Sequence, residues 1–250
     1  MLITCIDHSG FLVETETANF LFDWYTGTLP AFDCSKPLFV FVSHSHSDHF
    51  SQEIFQLNAA QWILSYDIPE RSLPKDPDIR KRIVTMQPHE EVNINNNWSG
   101  TLKTDSISKE SLLKMNPHDT NKFTVNTLAS NDLGIAFVVH TSEGDIYHAG
   151  DLNNWWWDGD EEDRELKKIY HTELDRIKGS HFRIAMVPYD LRLSQPGFGI
   201  RDFLACCQAD TITAMHLNTT TEKAEKYMQQ DAALKGVKQH VYIQPFQLQC

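Results

Sequence analysis

The chain has 250 residues, 41% of them hydrophobic, and a formal net charge of −12 with histidines neutral. That length and apolar share describe one sizeable globular domain over residues 1–250 and exclude a disordered chain, and no apolar run is long enough to cross a bilayer. The acidic balance, with no basic tract longer than Arg80-Lys81-Arg82, argues against RNA or DNA as a partner. The N-terminus has no basic region and no signal-peptide profile, and the five cysteines include no C-x-x-C pair. Together these predict a reducing compartment, the cytoplasm of a bacterium.

Three short apolar runs open the chain, at residues 2–6, 11–15 and 19–22, parted by Ser9-Gly10 and Glu16-Thr17; they predict an antiparallel meander. Residues 38–42 are apolar throughout, as in a strand buried on both faces. Ser51 is expected to cap a helix running through Ile54, Phe55 and Leu57. Strands are expected at 61–65 and, after an excursion marked by Pro69, Pro74 and Pro77, at 83–86 and 92–94. Residues 95–122 are polar and weakly patterned. They read as an insertion, with a strand of its own at 101–107 or acting as a lid.

Strands are expected at 123–128, 135–140 and 146–149. A helix is expected over 163–178, where Leu166, Ile169, Tyr170, Leu174 and Ile177 recur at helical spacing and Gly179 supplies the stop. A strand at 184–187, a helix at 200–207 and a strand at 211–215 follow. Thr219-x-x-Glu222 has the capping-box pattern and opens a helix to about residue 234, with Gly236 at its end and a closing strand at 240–244. Many strands first and helices later predict an α+β sandwich, two sheets face to face with helices outside.

The densest chemistry lies directly after the 38–42 strand, in His44-Ser45-His46-Ser47-Asp48-His49. In an extended loop, residues two apart point the same way. His44 and His46 can therefore grip one cation, while Asp48 and His49 serve a second. Imidazoles with a carboxylate suit zinc, and iron or manganese after it.

This H-x-H-x-D-H loop after a core strand resembles that of the metallo-β-lactamase superfamily of metal-dependent hydrolases. Gly150-Asp151 after the strand ending at Ala149, and a lone His216 after the 211–215 strand, resemble its later elements in order. Within the superfamily the chain looks most like a bacterial branch with a HAGDLN segment, a tryptophan-rich stretch and a PVDPR-like segment. Here these read His148-Ala149-Gly150-Asp151-Leu152-Asn153, Trp155-Trp156-Trp157 and Pro188-Tyr189-Asp190-Leu191-Arg192.

The resemblance implies a four-layer αβ/βα sandwich with the site along one sheet edge and one or two divalent ions, zinc foremost. His44 and His46 would hold the first, Asp48, His49 and His216 the second, with Asp151 bridging. A metal-bound hydroxide would attack an ester, lactone, amide or phosphoester of a small-molecule substrate, with Asp48, Asp151 and His148 as catalytic candidates. His148 reads equally as a packing histidine. A metal-binding sensor or scaffold without turnover is the rival reading, because Ser130 stands where the superfamily has a third histidine. Asp132 is the candidate replacement, or else a turn residue before Gly134. Trp155, Trp156, Tyr189 and Arg192 are expected around a substrate pocket, with Arg192 binding an anion or pairing with Asp190. His8 sits in a segment that resembles a GHSGF-like stretch of relatives, and a structural role is its expected one.

Overall fold

The computed structural model describes residues 1–95, 122–237, 240–243 and 247–249. The expected insertion, with its strand at 101–107, falls almost wholly outside them. The strands in chain order are β1 (Leu2–Asp7), β2 (Gly10–Glu14), β3 (Asn19–Phe22), β4 (Leu38–Val42), β5 (Gln61–Ser65), β6 (Ile83–Met86) and β7 (Glu91–Asn95). They continue as β8 (Lys122–Ala129), β9 (Ile135–Thr141), β10 (Gly144–His148), β11 (His181–Pro188), β12 (Gln208–Met215), β13 (Val241–Tyr242) and β14 (Gln247–Gln249). Among the described residues the α-helices are α1 (Pro77–Arg80), α2 (Glu161–Arg176), α3 (Phe198–Cys206) and α4 (Thr221–Gln230).

The strands form two 7-stranded sheets, ordered β14-β1-β2-β3-β4-β5-β6 and β13-β12-β11-β10-β9-β8-β7. Each sheet begins as an antiparallel meander, β1-β2-β3 or β7-β8-β9-β10, and continues in parallel through β4-β5-β6 or β11-β12-β13. The α+β sandwich and the opening meander thus stand as expected.

Side-chain alternation decides which way each strand faces. Phe11 and Val13, Phe20 and Phe22, Phe39 and Phe41, and Ile63 point between the sheets, where they meet Phe123, Val125 and Phe137. Phe41 lies edge-to-face on Phe137 at 5.2 Å between ring centroids. The alternate residues Leu12, Leu21, Val40, Val42, Trp62 and Leu64 face outward yet are buried too. A second apolar cluster covers them with Ile54, Phe55 and Ile68. Burial on both faces is why the 38–42 run shows no polar alternation.

The two outer layers differ. On the second sheet Tyr147 stacks on Phe203 of α3, and Tyr170 of α2 donates to the Gly199 carbonyl at 2.9 Å. On the first sheet the outward residues are covered by a 3-10 turn, Gln52–Gln56, and by loops. The helix expected after Ser51 is that short turn, although Ser51 does cap it by accepting from Glu53 N at 3.3 Å. Two other boundaries move. α2 begins at Glu161 because Asp160 caps it, accepting from Asp163 N. α4 is capped at Thr220 without a side-chain bond and ends at Gln230, so the Thr219/Glu222 capping box does not form.

Candidate metal centre

Topology gathers the chemistry. β1, β3 and β4 run in one direction in the first sheet, and β8, β10, β11 and β12 run in one direction in the second. The residues after their C-terminal ends meet along one edge of the sandwich. His8 follows β1, Asp23 follows β3 and the histidine loop follows β4. Asp132 follows β8, Asp151 follows β10, Asp190 and Arg192 follow β11, and His216 follows β12.

Two glycines set the approach of the sheets. Gly134 has φ +76, and a Cβ there would stand 2.1 Å from the Ser43 carbonyl oxygen and 2.5 Å from His44 Cβ. Gly150 has φ +53, and a Cβ there would stand 2.8 Å from Ser43 Cβ. The end of β4 is thus wedged between two turns of the other sheet, where only glycine fits. Among the described non-glycine residues with positive φ are His8, Asp23, His216 and Asn218. Such strain is tolerated where surrounding structure imposes it, and it collects at functional sites.

Asp151 is the centre of the cluster. His44 Nε2 lies 3.3 Å from its Oδ2, while His49 Nε2 and His216 Nε2 lie 3.2 and 3.6 Å from its Oδ1. His46 Nδ1 is 3.1 Å from His44 Nε2. Buried His49 Nε2 and Asp151 Oδ1 face each other without a hydrogen bond of acceptable geometry. Two atoms bound to one tetrahedral zinc at about 2.1 Å stand about 3.4 Å apart. The four separations bracket that edge length, so the donor set fits a metal ion. Asp132 joins from the β8–β9 turn, its carboxylate grouping with His46 and Asp151. Its own backbone N–H donates to Ser130 Oγ at 3.2 Å. The serine thus shapes the turn that presents the aspartate.

The opposite nitrogens of three histidines are held by fixed partners. His49 Nδ1 is 2.7 Å from Asp23 Oδ2, and His216 Nδ1 is 3.2 Å from Asp190 Oδ2. His44 Nδ1 is 2.9 Å from Ser43 Oγ. Asp23 also accepts from Ser43 N at 2.7 Å and Ser43 Oγ at 2.6 Å. One buried carboxylate therefore orients His49 directly and His44 through a hydroxyl, an arrangement that fixes tautomer and ring plane. Asp23 carries no motif, and its signal was only its place at the end of a short apolar run.

The charges follow from this packing. Burial alone would raise the pKa of Asp151, but His44 and His49 hold it well below the usual carboxylate range. Asp23 is lowered in the same way, against burial, by His148 and His49. For His49 desolvation opposes the charged form, yet Asp151 and Asp23 raise its pKa to about 10. Asp48 is held far below its usual value, chiefly by its hydrogen bond with His8.

Beside the cluster lies a cleft of about 530 Å³ lined by His46, Asp48, Asn131, Asp132, Asp151, Trp155, Trp157, Glu162, Leu166, Arg192 and His216. Of the four residues expected around a substrate pocket, Trp155 and Arg192 line this cleft, and Trp156 and Tyr189 do not. Trp156 turns away to pack on Phe198, and Tyr189 is buried with its hydroxyl donating to Asp231 at 3.0 Å. Trp157 takes their place, stacked on Trp155 with ring centroids 6.1 Å apart. Arg192 pairs with Asp190, its Nε 2.9 Å from Oδ2, and stands 5.7 Å above the Trp157 ring. His148 is not at the cleft. Its Nε2 lies 3.0 Å from the Ser9 carbonyl, its Nδ1 accepts from Gly150 N at 3.2 Å, and its ring stacks on Phe22. Nε2 fastens it to the other sheet and Nδ1 to the turn after its own strand, and burial lowers its pKa.

No family model and no curated protein sequence matches the chain. Solved structures do. A protein of Parabacteroides distasonis named as a metal-dependent hydrolase is 15% identical at a TM-score of 0.58, over 98% of this chain and 92% of its own. YhfI of Bacillus subtilis, a metallo-β-lactamase fold protein, is 13% identical at a TM-score of 0.56, over 99% of both chains. CmlA of Streptomyces venezuelae, a diiron β-hydroxylase, is 10% identical at a TM-score of 0.56, over 99% of this chain and 53% of its own. At such identities the likeness is one of architecture, and the chain has the metallo-β-lactamase fold. No helix among the described residues is long and apolar enough to cross a membrane.

Proposed function

We propose that the chain is a metal-dependent hydrolase of a small-molecule ester, lactone, amide or phosphoester, working at the Asp151 cluster. The observation that supports this best is the set of nitrogen–nitrogen and nitrogen–oxygen separations from 3.1 to 3.6 Å around one buried carboxylate. His44, His46 and Asp151, with Asp132, would hold one cation, and Asp48, His49, His216 and Asp151 a second. Zinc suits these donors first, with iron or manganese next. The bound ions would supply Lewis acidity, acidifying water and polarising the electrophile.

The chain's own residues do the rest. Asp23, Ser43 and Asp190 hold the histidines in the tautomers that point Nε2 at the cluster. Asp48, at the mouth of the cleft and kept ionised by His8, would act as a carboxylate ligand of the second ion. Trp155 and Trp157 offer an apolar wall that excludes water from one side of the substrate. Arg192 stays charged, fixed by Asp190, and positions a polar substrate group across from the metal ligands.

The test is elemental analysis of protein purified without chelator, joined to turnover on a panel of aryl ester, lactone and phosphodiester substrates. The expected result is one to two equivalents of metal and hydrolysis that chelator abolishes and metal restores. Protein that stays metal-free after reconstitution would refute the reading. Bound metal without turnover on any of the three classes would instead favour the non-catalytic sensor or scaffold.

A further inference from the structure

Beside the second cation position stands a further imidazole, from the β1–β2 turn. We infer that His8 is a metal ligand, forming with Asp48, His49 and His216 a three-imidazole, one-carboxylate set that retains its ion even when Asp151 is lost. The inference rests on the metal site proposed above and adds a residue from the first hairpin to it.

Three observations carry it. The donor atoms of His8, Asp48, His49 and His216 all lie within 4.8 Å of one another, and this grouping forms without Asp151. His8 Nε2 stands 3.5 Å from Asp48 Oδ2, again close to the tetrahedral edge of about 3.4 Å. Its ring centroid is 4.4 Å from that of His216 and 5.6 Å from that of His49. The backbone is also built for the contact. His8 and His216 both have positive φ, at 43 and 57, and the His216 N–H donates to the His8 carbonyl at 3.2 Å. A histidine at a tight β1–β2 turn before Ser9-Gly10 carries left-handed strain that glycine would relieve. That the ring is nonetheless there, aimed into three donor groups, is what a ligand requires. A structural role alone, the expectation from sequence, does not explain why its donor atom converges with those of His49 and His216.

The experiment uses the full chain loaded with cobalt(II), whose visible absorption reports coordination, together with stepwise zinc titration. His8→Gly removes the imidazole and relieves the backbone, while His8→Asn keeps a polar side chain that tolerates positive φ. Melting curves establish that both fold. Both variants should lose tenfold or more in affinity at one position and change the cobalt spectrum, and free imidazole should restore His8→Gly towards wild type. Asp151→Ala should retain one equivalent of metal, and the Asp151→Ala/His8→Gly double variant none. Wild-type affinities and spectrum in both His8 variants would overturn the inference while leaving the metal site intact. A wild-type chain that binds no metal would instead overturn the underlying proposal. Weakening that imidazole does not rescue would assign His8 to the pairing with Asp48 alone, and would also overturn the inference.

Discussion

Asp23→Asn is the sharpest test of how the site is held. The carboxylate is fully buried and accepts from Ser43 N, Ser43 Oγ and His49 Nδ1, at 2.7, 2.6 and 2.7 Å. Asparagine keeps the shape but replaces one acceptor oxygen with an NH2 donor. If its oxygen stays on Ser43 N, the NH2 faces His49 Nδ1, which must then accept. When His49 gives up a proton to become a ligand, the one that remains is forced onto Nε2, the atom that faces Asp151. A protonated nitrogen cannot ligate a metal, so binding must first reverse the tautomer. Losing an orienting partner of a ligand histidine typically costs 10- to 100-fold in metal affinity, about 1.4–2.7 kcal/mol. The metal-free protein should also lose about 1.5–3 kcal/mol, the worth of one hydrogen bond to a charged group. Competition with a chromophoric zinc chelator reads the first number, and urea denaturation of metal-free protein reads the second. Zinc affinity within twofold of wild type at every position would refute the reasoning and reduce Asp23 to a structural acid.

Gly134→Ala should destabilise the fold by about 3 kcal/mol or more, because it adds left-handed strain to a Cβ only 2.1 Å from the Ser43 carbonyl; a melting temperature near wild type would contradict the wedge described for β4. Asp132→Ala should weaken zinc at one position by about tenfold and leave the other unchanged, and equal titration steps in the variant would show that Asp132 is only a turn residue. Asp202, against the effect of burial, is lowered from 3.8 by His171, Arg201 and Asn154. A depressed folded-state pKa adds stability above the unfolded value that is lost as pH falls through the folded one. The stability gap between wild type and Asp202→Asn should therefore be about 1–3 kcal/mol at neutral pH and shrink below about pH 4, and a gap independent of pH would refute it.

The amino-acid sequence by itself determined the parts whose physics is local. A loop of three histidines and an aspartate within six residues needs no partner to be recognised, and the apolar run before it marks a strand wherever it packs. The same holds for most strands and for α2, whose apolar residues recur at helical spacing. Tertiary structure decided what depends on strands distant in the chain meeting at one edge. Asp23 has no neighbours in sequence that reveal it, and the GHSGF-like segment around His8 suggested only a structural role; both come to the histidine loop because β1, β3 and β4 run the same way. Trp155, Trp156 and Trp157 are chemically alike, and only the direction of the chain after Asp151 turns the third to the cleft and the second to Phe198. His148, three residues before Asp151, reads from its sequence neighbourhood equally as a group at the site and as a packing histidine. Strand pleat points it between the sheets, where its two nitrogens join Ser9 to Gly150.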